Sequence, residues 1–125
     1  MIVRHESNNR ADSTVRTIAQ PETHQLELFA VLHALSDPVR MTIVRTLAQE
    51  DHERSCGQLE VPVTKSTLTH HLKVLREAGL TNTRSQGVQR LVSLRRADVE
   101  ARFPGLLNCV LGQAEQTDPP LRTAA

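Results

Sequence analysis

Tyrosine and tryptophan are absent from this sequence, and phenylalanine occurs only twice. An aromatic platform on which single-stranded bases could stack is therefore excluded. Cysteine is nearly as scarce: Cys56 and Cys109 are the only two, too few for a disulfide framework. No apolar run approaches the ~20 residues of a membrane span. Met1 to Gln20 lacks the apolar segment of a signal peptide, so a cytoplasmic protein without a membrane partner is expected. An excess of one charge is missing too. The net charge of +1 argues neither for nor against nucleic acid. There is no Gly-rich phosphate loop, and no acid stands at a recognisable spacing to orient Cys56 and a histidine as nucleophile and base. An enzyme is not expected. The 125 residues suit one domain, with a core small enough to gain from a partner subunit.

What the chain does have is one well-marked helix, expected over residues 64–78. Thr64 is a suitable N-cap, since its hydroxyl can accept a backbone N–H of the first turn. Leu68, Leu72 and Leu75 recur at i, i+4 and i+7 and form one apolar stripe. At about 100° per residue, Ser66, Thr69, His70 and Lys73 project from the other side. That face has no carboxylate before Glu77. It offers hydroxyls, an imidazole and an ammonium, groups that hydrogen-bond base edges and phosphates. Gly79 ends the helix, with Leu80 and Leu75 placed for the apolar contact of a Schellman stop. His71 flanks the apolar stripe and is expected to be half-buried. Adjacent histidines diverge by about 100° on a helix, so they do not make a metal or catalytic pair. Charge is concentrated around this helix. From Thr64 to Arg96 the chain carries Lys65, Lys73, Arg76, Arg84, Arg90, Arg95 and Arg96 against the single acid Glu77. A solvated basic face and a phosphate-binding one both fit that distribution, and the helix within it favours the second.

Thr67-Leu68-Thr69-His70-His71-Leu72-Lys73-Val74-Leu75-Arg76-Glu77-Ala78-Gly79-Leu80 closely resembles the recognition helix of ArsR/SmtB-type winged-helix repressors. Leu35-Ser36-Asp37-Pro38-Val39-Arg40 resembles the start of that family's second helix. The likeness covers roughly residues 26–96, and the two motifs stand in the right order and separation. It implies a mainly α fold with a small β-hairpin, a winged helix-turn-helix of order α-α-α-α-β-β-α, dimeric. It also implies double-stranded DNA as partner, read as an inverted repeat. DNA-contacting residues are expected among Arg40, Thr64, Lys65, Ser66, Thr67, Thr69, His70, Lys73, Arg84, Gln86 and Arg90.

Taken in order, residues 1–21 read as a disordered arm with polar clusters and no sustained periodicity. Residues 22–113 form the DNA-binding and dimerisation domain. A helix is expected from Glu22 to Ala34, apolar on two sides: Leu26, Phe29 and Ala30 on one, Leu28, Val31, Leu32 and Leu35 on the other. Such a helix is covered on both sides, so a homodimer is expected, with His33 packed on the Leu26 side. Asp37 and Pro38 open the next helix as N-cap and N1, and Val39, Ile43 and Leu47 give its core stripe. Arg40 lies in the first turn, where the helix dipole disfavours a cation. It needs a partner: Asp37, a phosphate or another carboxylate. After a polar loop, Ser55 to Glu60 is expected as a short supporting helix ended by Val61-Pro62, shorter than the family's usual one. Residues 81–94 read as a hairpin around Gly87, the wing, with Arg84, Gln86 and Arg90 near its tip. Ala97 to Gln113 is a last helical region interrupted at Pro104-Gly105, with Leu106, Leu107, Val110 and Leu111 supplying an apolar surface. Residues 114–125 read as a disordered tail.

Many repressors of the resembled family release DNA on binding a metal, through a Cys-x-Cys on the supporting helix or through acidic and His ligands on the last helix. Neither pattern is present. Asp51, His52, Glu53 and Cys56 are a weaker cluster that zinc or nickel could use, or simply a polar loop beside a half-buried thiol. Cys56 is alternatively an oxidant sensor, if the helix terminus and Arg54 lower its pKa. Cys109 is expected to be inert. A metal- or redox-responsive repressor, and a helical interaction module without DNA, are the alternatives to a plain repressor.

Overall fold

The computed structural model describes residues 15–50 and 53–117. Its elements are β1 (Val15–Thr17), a 3-10 turn (Thr23–Gln25), α1 (Leu28–Leu35), α2 (Pro38–Glu50), β2 (Arg54–Ser55), a second 3-10 turn (Cys56–Gln58), α3 (Lys65–Ala78), β3 (Thr81–Gln86), β4 (Gln89–Leu94), α4 (Arg96–Arg102) and α5 (Leu106–Thr117). The strands form one antiparallel sheet in the order β1-β3-β4-β2. This is the winged helix-turn-helix architecture, built on helices that share one apolar core.

Local chemistry explains the helix starts. Asp37 Oδ2 accepts from the amides of Val39 and Arg40 at 2.8 and 3.1 Å, so α2 begins with its first donors satisfied. Ile43, Val44 and Leu47 then turn inward and are fully buried. Leu72, Leu75 and Ala78 of α3 meet the same core, and α3 packs against α1, α2 and β3. Val92 of β4, Val99 of α4 and Leu107 of α5 close it.

Several expectations require correction. Of the segment 1–21, residues up to Thr14 lie outside the described residues, but Val15–Thr17 is a strand rather than a loose arm. It pairs with the wing, Val15 opposite Gln86 and Thr17 opposite Arg84. Two β-branched residues flank Arg16, and the open edge of β3 supplies the unpaired amides and carbonyls such a segment needs. Gln20 extends the pairing with its side chain: Oε1 accepts from Thr83 N at 2.8 Å and Nε2 donates to Thr83 O at 3.1 Å.

The helix expected over Glu22–Ala34 is broken in two. Glu22 and Gln25 cap each other across the first 3-10 turn, and Leu26 is extended. Arg102 donates to the Leu26 carbonyl through Nη2 at 2.6 Å and Nε at 3.2 Å, which takes that carbonyl out of any helix. The stripes therefore regroup. Leu26 enters the core while Phe29 is 85% exposed. Val31, Ala34 and Leu35 form the inner face of α1, Leu28, Phe29 and Leu32 the outer one. His33 is exposed, not packed.

The supporting helix shrinks to the 3-10 turn Cys56–Gln58. Ser55 and Gln58 close a capping box around it, and Leu59 is already extended, three residues before Pro62. Ser55 is drawn instead into β2, opposite Leu91. The last helical region is two helices, α4 and α5, with Gly105 at φ 83° between them. Contrary to the expected tail from 114, α5 continues to Thr117. Gln113 to Gln116 are acceptable helix formers, and no proline intervenes before Pro119.

Candidate nucleic-acid interface

The helix marked out in the sequence is present as expected. Thr64 Oγ1 accepts from Thr67 N at 3.3 Å and donates to Thr67 Oγ1 at 3.0 Å. At the other end Gly79 is left-handed, φ 87°. Gly79 N bonds to Arg76 O and Leu80 N to Leu75 O, both at 3.0 Å. These are the two bonds of a Schellman motif. Both ends of α3 are thus fixed by its own sequence, and its orientation is fixed by the buried Leu72, Leu75 and Ala78.

The opposite face is open. Thr64, Lys65, Ser66, Thr67, Thr69, His70 and Lys73 are all exposed. The Thr69 hydroxyl donates to Lys65 O at 3.0 Å, which orients its oxygen lone pairs away from the helix. The face carries donors and acceptors short enough to meet base edges, with cations toward its flanks.

His71 behaves differently from its neighbour. It is buried, at 9% exposure, while His70 is exposed. Burial pushes the His71 imidazole below its usual range. The nearby Asp37 carboxylate works against that shift, and Arg40 and His70 add to it.

Arg40 is removed from the surface set. It is 8% exposed. Its Nε donates to Ala34 O at 2.7 Å and its Nη2 to His33 O at 3.4 Å, while Nη1 lies 3.1 Å from His71 Nδ1. The partner that the sequence demanded for this first-turn cation is the carbonyl end of α1. Arginine there offsets the partial negative charge of a helix C-terminus.

In the wing, β3 and β4 pair from Thr81 with Leu94 to Gln86 with Gln89. Gly87, at φ 62°, makes the tight turn, and Val88 projects fully into solvent. Gln86 and Arg90 are exposed near this tip. Arg84 is engaged: Nε and Nη2 grip Glu53 Oε2 and Oε1 at 2.7 and 2.9 Å. That pairing holds the Glu53 carboxyl below its usual range. The fork ties the wing to the segment before β2, so Arg84 reaches outward only by leaving Glu53. Gln20 did not stand out in the sequence, and Glu53 did so only as a candidate metal ligand and not as the partner of Arg84, since the residues they bond are 63 and 31 residues away.

At the proposed sensing position, burial pushes the Cys56 thiol up. The Arg90 charge pulls the other way but more weakly. This is opposite to the lowered pKa that oxidant sensing by a thiolate requires. Arg54 is directed elsewhere, to Gln58 O at 3.1 Å and Glu50 at 3.2 Å. Asp51 and His52 lie outside the described residues, and the described residues contain no cluster of three or more metal-ligating side chains. Cys109, expected to be inert, is exposed on α5. No helix among the described residues is long and apolar enough to cross a membrane.

The chain matches a family model described as a helix-turn-helix domain over residues 35–84. It is 42% identical over 79 residues to YceK of Bacillus subtilis, described as an uncharacterized HTH-type transcriptional regulator, a match spanning 62% of this chain and 79% of the relative. It is 38% identical over 107 residues to the biofilm growth-associated repressor of Xylella fastidiosa, spanning 82% of this chain and 89% of that protein. The crystal structure of the transcriptional repressor BigR from Xylella fastidiosa superimposes with a TM-score of 0.57 at 27% identity, covering 94% and 98% of the two chains. An ArsR family transcriptional regulator, RHA00566, shares the fold at a TM-score of 0.54 and 18% identity, covering 79% of this chain and all of that one.

Proposed function

This chain belongs to the ArsR-type family of winged helix-turn-helix transcriptional regulators, and from that premise we propose that it is a dimeric repressor that reads an inverted-repeat operator through α3. The observation that carries this reading is the outer face of α3, which is exposed, rigidly capped at both ends and without a carboxylate before Glu77. In this reading the helix lies in the major groove. Ser66, Thr69 and His70 meet base edges, while Lys65 and Lys73 meet phosphates. The wing lies alongside, with Gln86 and Arg90 on the backbone or in the minor groove. Two copies related by a two-fold axis would place their α3 helices on half-sites about one DNA turn, ~34 Å, apart. The outer face of α1, where Leu28, Phe29 and Leu32 are exposed, supports the second copy.

Base readers and phosphate binders separate by substitution. Ser66→Ala, Thr69→Ala or His70→Ala is expected to relax sequence preference, at on the order of 1–3 kcal/mol per lost base contact. Lys73→Ala or Arg90→Ala is expected to weaken binding to every sequence and to flatten its dependence on salt. Titration of operator and random duplexes at several salt concentrations distinguishes the two groups. Equal losses on both duplexes for Ser66, Thr69 and His70 would remove them from base recognition. Absence of binding to any duplex would instead favour a helical interaction module.

A further inference from the structure

One buried cluster is not used by the DNA-facing surface. The Arg40 guanidinium joins three elements: it bonds the carbonyls of Ala34 and His33 at the end of α1, lies in the first turn of α2, and meets His71 in the middle of α3. Arginine stays protonated in proteins and has no acceptor. At 3.1 Å from Arg40 Nη1, His71 Nδ1 must therefore be the bare, accepting nitrogen, and the ring proton must sit on Nε2. Asp37 Oδ2 lies 3.9 Å from the same Nδ1 while already accepting the amides of Val39 and Arg40. The charged and titratable groups facing His71 are thus Arg40 from α2, Asp37 just before the start of α2, and His70 from α3, whose ring centroid is 5.9 Å away. From α1 come backbone carbonyls, which Arg40 takes up.

We propose that His71 is a positioning residue for DNA binding: in its neutral form it latches α3, through Arg40, to the corner between α1 and α2, and protonation opens that latch. This rests on α3 being the recognition helix. Protonation of Nδ1 consumes the lone pair that receives Arg40 and sets two cations against each other at hydrogen-bond distance. Asp37 offsets only part of that repulsion, because it is farther off and already bonded. The direction of the pH effect follows. Burial favours neutral His71 in the folded protein, so the folded value lies below the ordinary ~6.5 of a free imidazole. The latch is intact above that ordinary value and is lost as pH falls through the folded one. His70 is exposed on the DNA face, so its own variant is measured alongside.

The experiment measures affinity for a duplex selected from a random-sequence pool at pH about 8, then follows it down to pH about 5.5, across the imidazole range. The wild type is expected to lose roughly tenfold or more, a usual size for such coupling. His71→Asn places Oδ1 near the position of Nδ1 as an acceptor that does not titrate. It is expected to bind like wild type at the higher pH and to keep that affinity on acidification. His70→Asn is expected to keep the acid loss. Parallel profiles for wild type and His71→Asn overturn the proposal. Should His71→Asn fail to fold by circular dichroism, nitrogen NMR of wild-type His71 decides: a bare Nδ1 and a lowered midpoint are expected, and a free-imidazole midpoint overturns the latch. Failure to select any duplex at the higher pH overturns the DNA reading itself, an outcome distinct from flat or parallel profiles.

Discussion

Gly79→Ala is expected to destabilise the protein by about 2–5 kcal/mol, from two costs at one atom. The backbone there has φ 87°, a conformation that costs a residue with a Cβ roughly 1–2 kcal/mol. The added methyl would also fall inside the van der Waals envelope of Leu26 Cδ2. Leu26 is only 1% exposed and sits in the shared core, so its movement disturbs packing, and overpacking of this kind costs typically 1–3 kcal/mol. For a domain of this size each kcal/mol lowers the melting temperature by roughly 4–8 °C, so a fall of about 10 °C or more is expected. Gly87 supplies the control. It too has positive φ, 62°, but a Cβ there would meet nothing within 4 Å, so Gly87→Ala is expected to incur only the backbone cost. Calorimetry of both variants separates strain from collision. Similar losses in the two would mean that Leu26 accommodates the methyl without penalty. The consequence reaches the interface, because Gly79 turns the chain from α3 into β3 and so sets the recognition helix relative to the wing.

α3 was legible in the sequence because its signals are local and mutually consistent. Thr64, the Leu68-Leu72-Leu75 stripe and Gly79 each act within one or two turns, and the structure realises all three. The α2 start at Asp37-Pro38 and the wing turn at Gly87 are legible for the same reason. The misreadings share a different cause: a distant partner outcompetes a local preference. Leu26 has ordinary helical neighbours, yet Arg102 from α4 takes its carbonyl. Val15–Thr17 looks like a tail until the edge of β3, about seventy residues on, is there to pair with it. Arg40 shows the intermediate case. Its need for a partner is readable from its place in a helix first turn, but carbonyls at the end of α1 cannot be chosen over a phosphate without knowing that α1 ends beside it. The outward set on α3 follows from helical geometry alone. Arg84 could not be separated from Arg90 in that way, since only the fold brings Glu53 to it.

Phe29→Asp combined with Leu32→Asp is expected to leave the protomer folded and to reduce operator affinity by about a hundredfold or more. Phe29 is 85% and Leu32 40% exposed on the outer face of α1, away from Val31, Ala34 and Leu35, which carry that helix's core contacts. Substitutions at such exposed positions usually change the stability of an isolated chain by within about 0.5 kcal/mol. In a dimer held through this face the same carboxylates are buried opposite their symmetry mates. Isologous contact doubles every such cost, because each residue meets its own face on the partner. Loss of the dimer then makes each half-site an independent, weaker target. Linkage of two sites typically contributes a factor of 10²–10⁴, and that factor disappears with it. Binding to a single half-site is expected to survive, because α3 and the wing are untouched. Sedimentation at micromolar concentration and titration against full and half operators provide the check. A double variant that still sediments as a dimer would place the interface elsewhere. A monomeric wild type that binds the full operator tightly would mean that one copy suffices, and the inverted-repeat reading would fall with it.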